Sequence, residues 1–278
     1  MPTPLCPAEL LVLHGADAAA FAHAQFCSDV KSLAVGDWQW SAWLDAQGRV
    51  RHFFALQHAE PSTLLAWLPL GGAEAMRAGL ARYVLRAAVT FETRNWMLHA
   101  LDAAELAQAP AQRQVVVHAD GLAMLQPGPP DRIAWIAPAT EASPSTEALR
   151  RWRLADIEAG LPLLTPELAG EFVAQALDLE RLGAIAFDKG CYPGQEIVAR
   201  LHFRGGNKYR PHRLRVHSTV PPAGTAILDG SGASIGRVLY GSAAGSHESI
   251  ALAVLSRAQP LEFGCSMATG EKVEGYKS

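Results

Sequence analysis

The chain has 278 residues, of which 49% are hydrophobic and 18% are charged, and its formal net charge at pH 7 is −3. A chain of this length and composition buries at least one large core and fits roughly two globular domains. The small net charge excludes attraction of the whole surface to nucleic acid or to an anionic membrane, so such a partner would need a local patch.

The sequence predicts neither a membrane-spanning segment nor a metal site. The chain contains no run of about 18 apolar residues, and no Lys or Arg precedes its N-terminal apolar patch, so neither a membrane span nor a secretory signal is indicated. The ten histidines lack metal-ligand spacing, and no Cys-x-x-Cys pair is present. We therefore expect a cytoplasmic protein without a metal site or a membrane partner. Its reduced thiols would be Cys6, Cys27, Cys191 and Cys265.

The first part of the chain predicts strands around a helix. A short strand precedes a helix that Asp17 would cap. Residues 38–56, WQWSAWLDAQGRVRHFFAL, predict a β-hairpin that turns at Gly48. The three tryptophans of this hairpin are interpreted as core residues, because large indole rings are usually buried.

The middle of the chain, residues 48 to 140, predicts a compact α+β unit. The segments STLLAWLPL and VTFETRNWMLHAL are typical of strands, and apolar residues at helical spacing between them predict a helix up to Ala87. Strand, strand, helix, strand is half of a split β-α-β arrangement, and more strands follow it. The stretch APATEASPSTEA, rich in Pro, Ser, Thr and Ala, then predicts a connection to the next unit.

The last part of the chain predicts two helices and then strands. One helix would run from about Ser145 to Glu158, and a second would begin at Thr165-Pro166, with the threonine as its cap. After Arg210, five period-two apolar runs are separated by turn residues, namely Pro with Gly, Asp-Gly and Gly-Ser. This pattern predicts a small closed or partly closed β-barrel.

Residues 189–196, KGCYPGQE, place a lone thiol, a lysine, a Pro-Gly turn and a carboxylate within eight residues. We call this segment the signature loop. Its Pro-Gly pair predicts a type II turn, and the apolar spacing that follows predicts a helix. A helix N-terminus stabilises a thiolate, and Lys189 adds a positive charge, so Cys191 is a candidate reactive cysteine. The alternative is that Cys191 is a small buried hydrophobe, as free cysteines often are.

Gln195 and Glu196 end the signature loop. A buried carboxylate requires a cation or a ligand, so Glu196 is not expected to be a residue of the hydrophobic core. A carboxylate also accepts two hydrogen bonds from the adjacent N–H groups of a pterin or guanine ring. The alternative is that Glu196 is a first-turn acid that interacts favourably with the helix dipole.

A basic segment follows, because residues 200–215 contain six Lys and Arg and not one Asp or Glu. Aromatic and histidine side chains are interleaved with these charges. Such a segment is typical of contact with a polyanion, for example a polyglutamate tail or an RNA backbone, and we expect any tRNA contact here. The alternative is solvated charge on the surface or on a strand edge.

These motifs resemble a known family. KGCYPGQEIVAR, with HFRGGNK after it and DIEAGLP and ERLGAIAF before it, resembles the signature region of the YgfZ-type proteins, which are folate-binding relatives of the glycine-cleavage T-protein. The resemblance implies an α+β fold in the form of a three-part ring. A discontinuous first domain would comprise residues 1–47 and 141–207, an inserted ferredoxin-like domain residues 48–140, and a C-terminal β-barrel residues 208–278.

The resemblance also implies that tetrahydrofolate, or a derivative, binds in a central hole. It implies a role in iron-sulfur cluster assembly or repair that affects tRNA modification, with iron-sulfur proteins or their assembly machinery as partners. Cys191 would be the reactive cysteine with Lys189 beside it, and Glu196 would face the pterin. The other residues that would shape the folate site are Tyr192, Gln195, Arg200 and Arg204.

We interpret the chain as an accessory protein and not as an enzyme in its own right, and two alternatives stay open. One is a tetrahydrofolate-dependent aminomethyl transferase, which needs a general acid or base beside the folate. The other is an RNA-binding module that uses residues 200–215.

Overall fold

The computed structural model describes residues 1–129, 132–139, 142–256 and 265–276. It contains two antiparallel sheets, of eight and six strands. The strands of the first sheet are β1 (Thr3–His14), β2 (Trp38–Leu44), β3 (Val50–Glu60), β4 (Thr63–Leu68), β5 (Thr90–Leu101), β6 (Val115–His118), β7 (Gly121–Leu125) and β8 (Ile133–Pro138).

The eight-stranded sheet curls until its two ends meet. Its strand order is β2-β3-β4-β1-β5-β8-β7-β6. The amide of Trp38 donates to the carbonyl of Arg113 (2.7 Å), and the amide of Val115 donates to the carbonyl of Gly36 (2.8 Å). Because these bonds join the start of β2 to the start of β6, the edges of the sheet are paired there. The predicted hairpin of β2 and β3 is confirmed.

Helices cover both faces of this sheet. They are α1 (Ala18–Gln25), α2 (Ala73–Ala81), α3 (Thr146–Glu158) and α4 (Gln195–Arg204). On one face α1 and α2 bury Phe21, Met76 and Leu80 against Leu11 and Phe54. The opposite face packs against α3, the segment from 161 to 184 and the second sheet, in the main hydrophobic core. The hairpin tryptophans are buried, as predicted.

The second sheet is a nearly closed barrel. Its strands are β9 (Tyr209–Val216), β10 (Ala226–Leu228), β11 (Ser234–Gly245), β12 (Glu248–Ser256), β13 (Ser266–Met267) and β14 (Val273–Gly275), in the order β13-β10-β11-β12-β9-β14. Ser266 bridges Lys272, and the amide of Val273 donates to the carbonyl of Cys265 (3.1 Å), so the two end strands of the order are also joined. The predicted C-terminal barrel is therefore confirmed in outline, and its last predicted run forms the two strands β13 and β14.

The barrel is attached to α3 by polar contacts. Helix α3 spans nearly the predicted range, and Ser145 caps it, because its hydroxyl accepts from the amide of Ala148 (3.2 Å). The hydroxyl of Tyr240 donates to the carbonyl of Leu161 (2.7 Å), and Arg150 donates to the carbonyl of Ala243 (3.2 Å). These bonds fix the barrel on the helix that lies against the first sheet.

Three local predictions are wrong in detail. The helix predicted from Thr165 is a single 3₁₀ turn, because the residues after it pair with β3: Gly170 donates to the carbonyl of Val50, and Val50 donates to that of Phe172. The helix predicted to run up to Ala87 is α2, which ends at Ala81. Asp17 precedes α1, but its carboxylate accepts from the amide of Ala88 and not from its own helix.

The domain division remains a prediction. The predicted boundary between residues 47 and 48 falls in the turn between β2 and β3, which are neighbours in one sheet. The other predicted boundary, between residues 140 and 141, lies outside the described residues. None of the helices in the described ranges combines the length and the apolar character that crossing a bilayer requires.

A buried ion pair on α3 provides a test of the core. Asp156 accepts from Arg132 (2.5 Å) and Arg153 (3.3 Å), and both Asp156 and Arg132 are buried. We expect Asp156→Ala to lower the free energy of unfolding by about 3 to 5 kcal/mol, because it leaves the buried guanidinium without its counter-charge. Urea unfolding measures this change. Glu147→Ala, which removes an exposed carboxylate of α3 that also pairs with two arginines, is the matched control and should change stability little.

Candidate functional site

Lys189 is fixed by three backbone carbonyl groups from the first part of the chain. Its ammonium group donates to the carbonyl oxygens of His23 (2.6 Å), Phe26 (2.6 Å) and Ser28 (2.8 Å). All three N–H donors of the ammonium group are therefore used. The nitrogen also lies 5.1 Å from the ring centre of Tyr192, a cation–π distance. We call this arrangement the lysine clamp.

The lysine clamp is largely removed from solvent. Burial lowers the pKa of Lys189 to about 8 from the usual 10.5. Next to it, Cys27 is fully buried and donates its thiol hydrogen to the carbonyl of Ala184 (3.1 Å), and burial raises the pKa of Cys27 to about 12. Cys27 is therefore a protonated packing residue, and Lys189 has the contacts of a positioning residue. A catalytic role for Lys189 remains a prediction.

The Pro-Gly turn seats the signature loop on the β2–β3 turn. The amide of Gln195 donates to the carbonyl of Tyr192 (3.2 Å), and Gly194 has φ 79° and ψ 0°, which is the type II turn that the sequence predicts. A Cβ atom on Gly194 would lie 2.5 Å from the carbonyl oxygen of Asp45 and 2.7 Å from Cα of Gly48. Glycine is thus required at position 194 both by its backbone angles and by this close approach.

Cys191 and Glu196 are both exposed to solvent. The thiol of Cys191 lies on the surface just before α4, so the interpretation of Cys191 as a buried hydrophobe is wrong. Glu196 is in the first turn of α4, and in the described ranges its carboxylate has no hydrogen-bond or ion-pair partner. Contact of Glu196 with a pterin remains a prediction.

The remaining predicted site residues are divided between two sides of α4. Tyr192 is buried beside the clamp, and burial raises its pKa. Gln195 is half-buried at the first position of α4. Arg200 and Arg204 are exposed and share the outer side of the helix with Glu196, since residues four apart lie on one side.

The basic segment of residues 200–215 does not form one surface. Its first half belongs to α4, whereas its second half forms β9 of the barrel. On β9, Arg215 pairs with Glu248 (3.3 Å). Arg210 and Arg213 line a separate cleft of about 440 Å³ together with Arg181, which we call the arginine cleft.

A second cleft, of about 520 Å³, lies where the first sheet closes, and its volume is in the range of small-molecule sites. We call it the tryptophan cleft. It shares Arg181 with the arginine cleft. Its lining residues are Trp38, Gln39, Trp40, Gln112, Arg113, Leu125, Gln126, Pro127, Glu180, Arg181, Leu182 and Gly183.

Two features make the tryptophan cleft a candidate binding site. Trp38 and Trp40 are each only 5% exposed, and the indole N–H of each has no hydrogen-bond partner in the described part of the chain. Buried N–H donors are rarely left unpaired in folded proteins. Arg113, whose carbonyl accepts from the amide of Trp38, also lines the cleft and has φ 69°, a strained backbone angle for a residue other than glycine. Strained residues cluster at binding sites.

Ser28 connects the lysine clamp to the tryptophan cleft. Its carbonyl accepts from Lys189, while its hydroxyl accepts from the side-chain amide of Gln39 (3.0 Å) and bonds to the hydroxyl of Ser41 (2.7 Å). Gln39 lines the cleft. Polar bonds therefore join the cleft wall to the signature loop through one residue.

The wall formed by residues 175–183 connects α4 to the same cleft. Gln175 donates to the carbonyl of Val198 (2.9 Å), and His202 bonds to Glu180 (2.9 Å). Sequence reasoning did not assign Ser28, Gln39 or Glu180 to the site. Only the similarity of ERLGAIAF to the family segment could have indicated Glu180.

Comparison with known proteins confirms the resemblance to the YgfZ-type proteins. No protein-family model matches the chain. The tRNA-modifying protein YgfZ of Klebsiella pneumoniae is 29% identical over 238 residues, covering 77% of this chain and 72% of its own length. YgfZ of Escherichia coli is 28% identical over 219 residues, covering 72% of this chain and 67% of its own. An uncharacterized protein of Haemophilus influenzae is 29% identical over 202 residues, covering 72% of this chain and 68% of its own length.

A solved structure has a similar fold. The crystal structure of the glycine cleavage system aminomethyltransferase T from Bartonella henselae matches with a TM-score of 0.63. The match covers 99% of this chain and 86% of that chain at 17% sequence identity. At this identity the likeness shows a common fold.

The lowered pKa of Lys189 makes a pH-dependent prediction. Between pH 8 and 10.5 the unfolded chain retains a proton that the folded chain has released, so the contribution of Lys189 to the free energy of unfolding rises with pH across this window. Urea unfolding at a series of pH values should show a flatter rise for Lys189→Met than for the parent. Lys208→Met removes an exposed lysine and should keep the parent's slope. An unchanged slope in Lys189→Met would contradict the burial of its ammonium group.

Proposed function

We propose that this chain is a folate-dependent accessory protein of iron-sulfur cluster assembly or repair, that it acts in the cytoplasm, and that its activity affects tRNA modification. One observation carries the proposal: an exposed thiol on a fixed loop is connected through Ser28 to a cleft with unpaired donors. The names of the relatives from Klebsiella pneumoniae and Escherichia coli support the link to tRNA modification.

The residues of the tryptophan cleft fit a pterin. The oxo group and ring nitrogens of a pterin accept hydrogen bonds, which the indole N–H groups of Trp38 and Trp40 would donate. The carboxylate of Glu180 lines the same cleft and would accept from pterin N–H groups. When bound, tetrahydrofolate supplies a carrier for one-carbon units.

The neighbouring arginine cleft fits the other end of a folate. Arg181 belongs to both clefts and pairs with Asp178 (3.0 Å). Arg210 and Arg213 add two more guanidinium groups, so the three arginines outnumber the two acids of the lining, Glu158 and Asp178. Guanidinium groups bind carboxylates with paired hydrogen bonds, so this cleft would hold the glutamate carboxylates of the ligand. An extended molecule with a flat polar ring and an acidic tail matches the two clefts together.

The state of Glu180 favours an accessory role over transferase activity. A transferase needs a general acid or base beside the folate. Among the described residues that line the tryptophan cleft, Glu180 is the one carboxylate, and its two oxygens accept from Gln175 (3.3 Å) and bond to His202 (2.9 Å). A carboxylate fixed in this way positions a ligand. The reactive group of the proposal is therefore Cys191.

The role of Cys191 is tested by complementation. We expect Cys191→Ala to change the free energy of unfolding by less than about 0.5 kcal/mol, because the side chain is exposed. The same variant should fail to restore the activity of iron-sulfur enzymes and tRNA modification in a strain that lacks the protein. Cys6→Ala, which removes a half-buried thiol elsewhere, should restore both. Full rescue by Cys191→Ala would refute the role of the thiol.

The folate site is tested by titration calorimetry with tetrahydrofolate. Trp38→Phe and Trp40→Phe keep an aromatic ring and remove one N–H donor, so we expect each to weaken binding about 3- to 10-fold. Trp96→Phe, outside the lining residues, is the matched control and should bind like the parent.

Glu196→Gln distinguishes the two places where folate could bind. Unchanged binding in this variant, together with weaker binding in Trp38→Phe and Trp40→Phe, would support the tryptophan cleft. A loss confined to Glu196→Gln would place the folate on the outer side of α4 and contradict the cleft assignment. The absence of tetrahydrofolate binding by the parent protein would refute the folate dependence itself.

A further inference from the structure

The outer side of α4 carries an exposed group of aromatic and basic side chains near its C-terminal end. Since a helix turns about 100° per residue, Arg200, Phe203 and Arg204 lie within roughly a third of a turn of one another. We call the following residues the α4 surface: Phe187, Arg200, His202, Phe203, Arg204 and Lys208.

The aromatic part of the α4 surface is a preassembled stack. The rings of Phe187 and His202 lie 3.9 Å apart with an interplanar angle of 27°. The ring of Phe203 stands edge-on to that of His202, with centres 4.7 Å apart, and the Phe203 side chain is 75% exposed. Phe203 therefore offers an aromatic ring to solvent on a rigid base.

The electrostatic character of the α4 surface is positive. Residues 197–228 contain six of the chain's 24 Lys and Arg and none of its 27 Asp and Glu. Arg200, Arg204 and Lys208 are exposed, and within the described ranges no ion pair occupies their charges. Four acids adjoin this surface: Glu180 bonds to His202, Asp178 lines a small cleft with His202, Asp188 follows Phe187 in the chain, and Glu196 is at the N-terminal end of the helix. Positive charge is thus free at the C-terminal half of α4.

We propose that the α4 surface binds single-stranded RNA, with an unstacked base on Phe203 and the adjoining phosphates on Arg200, Arg204 and Lys208. Exposed aromatic rings beside unpaired cations are the elements that bind single strands, because every base has a face that stacks and every nucleotide has a phosphate. The paired bases of a duplex are not free to stack on a side chain. The choice of RNA rests on the proposed link to tRNA modification, whereas the single-stranded form follows from the surface itself.

A protein partner fits this surface less well. Arg200 and Arg204 flank Phe203 on the helix, and the core of a protein interface is depleted of charged residues. A second copy of the chain would bring the same cations together and repel itself. Charge complementarity therefore favours a polyanion with aromatic groups.

Binding of a labelled single-stranded RNA oligonucleotide of mixed sequence, followed by fluorescence anisotropy, tests the proposal. We expect Phe203→Ala to weaken binding about 5- to 150-fold and Phe203→Trp to retain it, because stacking needs an aromatic ring. Arg204→Gln should reduce the slope of log affinity against log salt by about 0.7. The matched controls are Tyr83→Ala and Arg86→Gln, which alter an exposed aromatic and an exposed arginine elsewhere and should bind like the parent.

Three results would overturn the proposal: no affinity of the parent for the oligonucleotide, equal affinity for the same RNA annealed to its complement, or unchanged binding by Phe203→Ala. A dimer in sedimentation that Phe203→Ala dissociates would assign the surface to a second copy instead. Tetrahydrofolate binding measured on the same variants separates this proposal from the folate function. Phe203→Ala should keep its folate affinity, and Trp38→Phe should keep its RNA affinity.

Discussion

The placement of the signature loop depends on one buried cation and the three carbonyl oxygens that surround it. Lys189 joins residues 23–28 to a segment more than 160 positions later in the chain. A compact ammonium group with three donors suits three carbonyls that converge on a point, whereas the flat guanidinium group of arginine does not. Without this cation three carbonyl groups would lack a partner, at a cost of about 1 to 3 kcal/mol for each one that remains buried. The clamp anchors the chain two residues before Cys191, whose side chain is exposed.

The clamp also explains why the loop and the tryptophan cleft form one unit. Ser28 gives its carbonyl to Lys189 and accepts from Gln39 with its hydroxyl, so the position of the cleft wall and that of the loop are determined together. On the other side, Gly194 packs against the β2–β3 turn so closely that a side chain would not fit. Strand β2, which carries Trp38 and Trp40, is thus linked to the signature loop through Ser28 at its start and through the β2–β3 turn at its end.

The features that the sequence predicted well are those set by neighbours in the chain. The type II turn at Gly194 and the hairpin of β2 and β3 follow from local backbone preferences and side-chain alternation. The features it missed depend on distant partners. Thr165 and Pro166 are typical of a helix start, but the backbone beyond them pairs with Val50, more than 100 residues earlier. The sequence predicts Lys189 only as a neighbour of the Cys191 thiol. Its carbonyl partners could not be predicted, because they too lie far away in the chain.

The same reasoning applies to the candidate binding residues. Trp38 and Trp40 were correctly predicted to be buried, yet their unpaired N–H groups depend on which side chains the closure of the sheet brings opposite them. The residues around Glu196 in the sequence predict that it faces a ligand. In the structure, the helical phase of α4 places Glu196 with Arg200 on the outer side of the helix. Burial follows from composition, whereas the direction of a polar group follows from tertiary structure.

Helix α4 links the two surfaces to which ligands are assigned. His202 pairs with Glu180 in the wall of the tryptophan cleft, and the ring of His202 is stacked on Phe187 at the α4 surface. One side chain therefore belongs to both places. By linkage, a ligand on either surface that alters the His202–Glu180 contact changes the affinity of the other surface by the same factor. A folate that needs Glu180 and an RNA that stacks against the His202 group would then be coupled through a single hydrogen bond, without movement of the sheets.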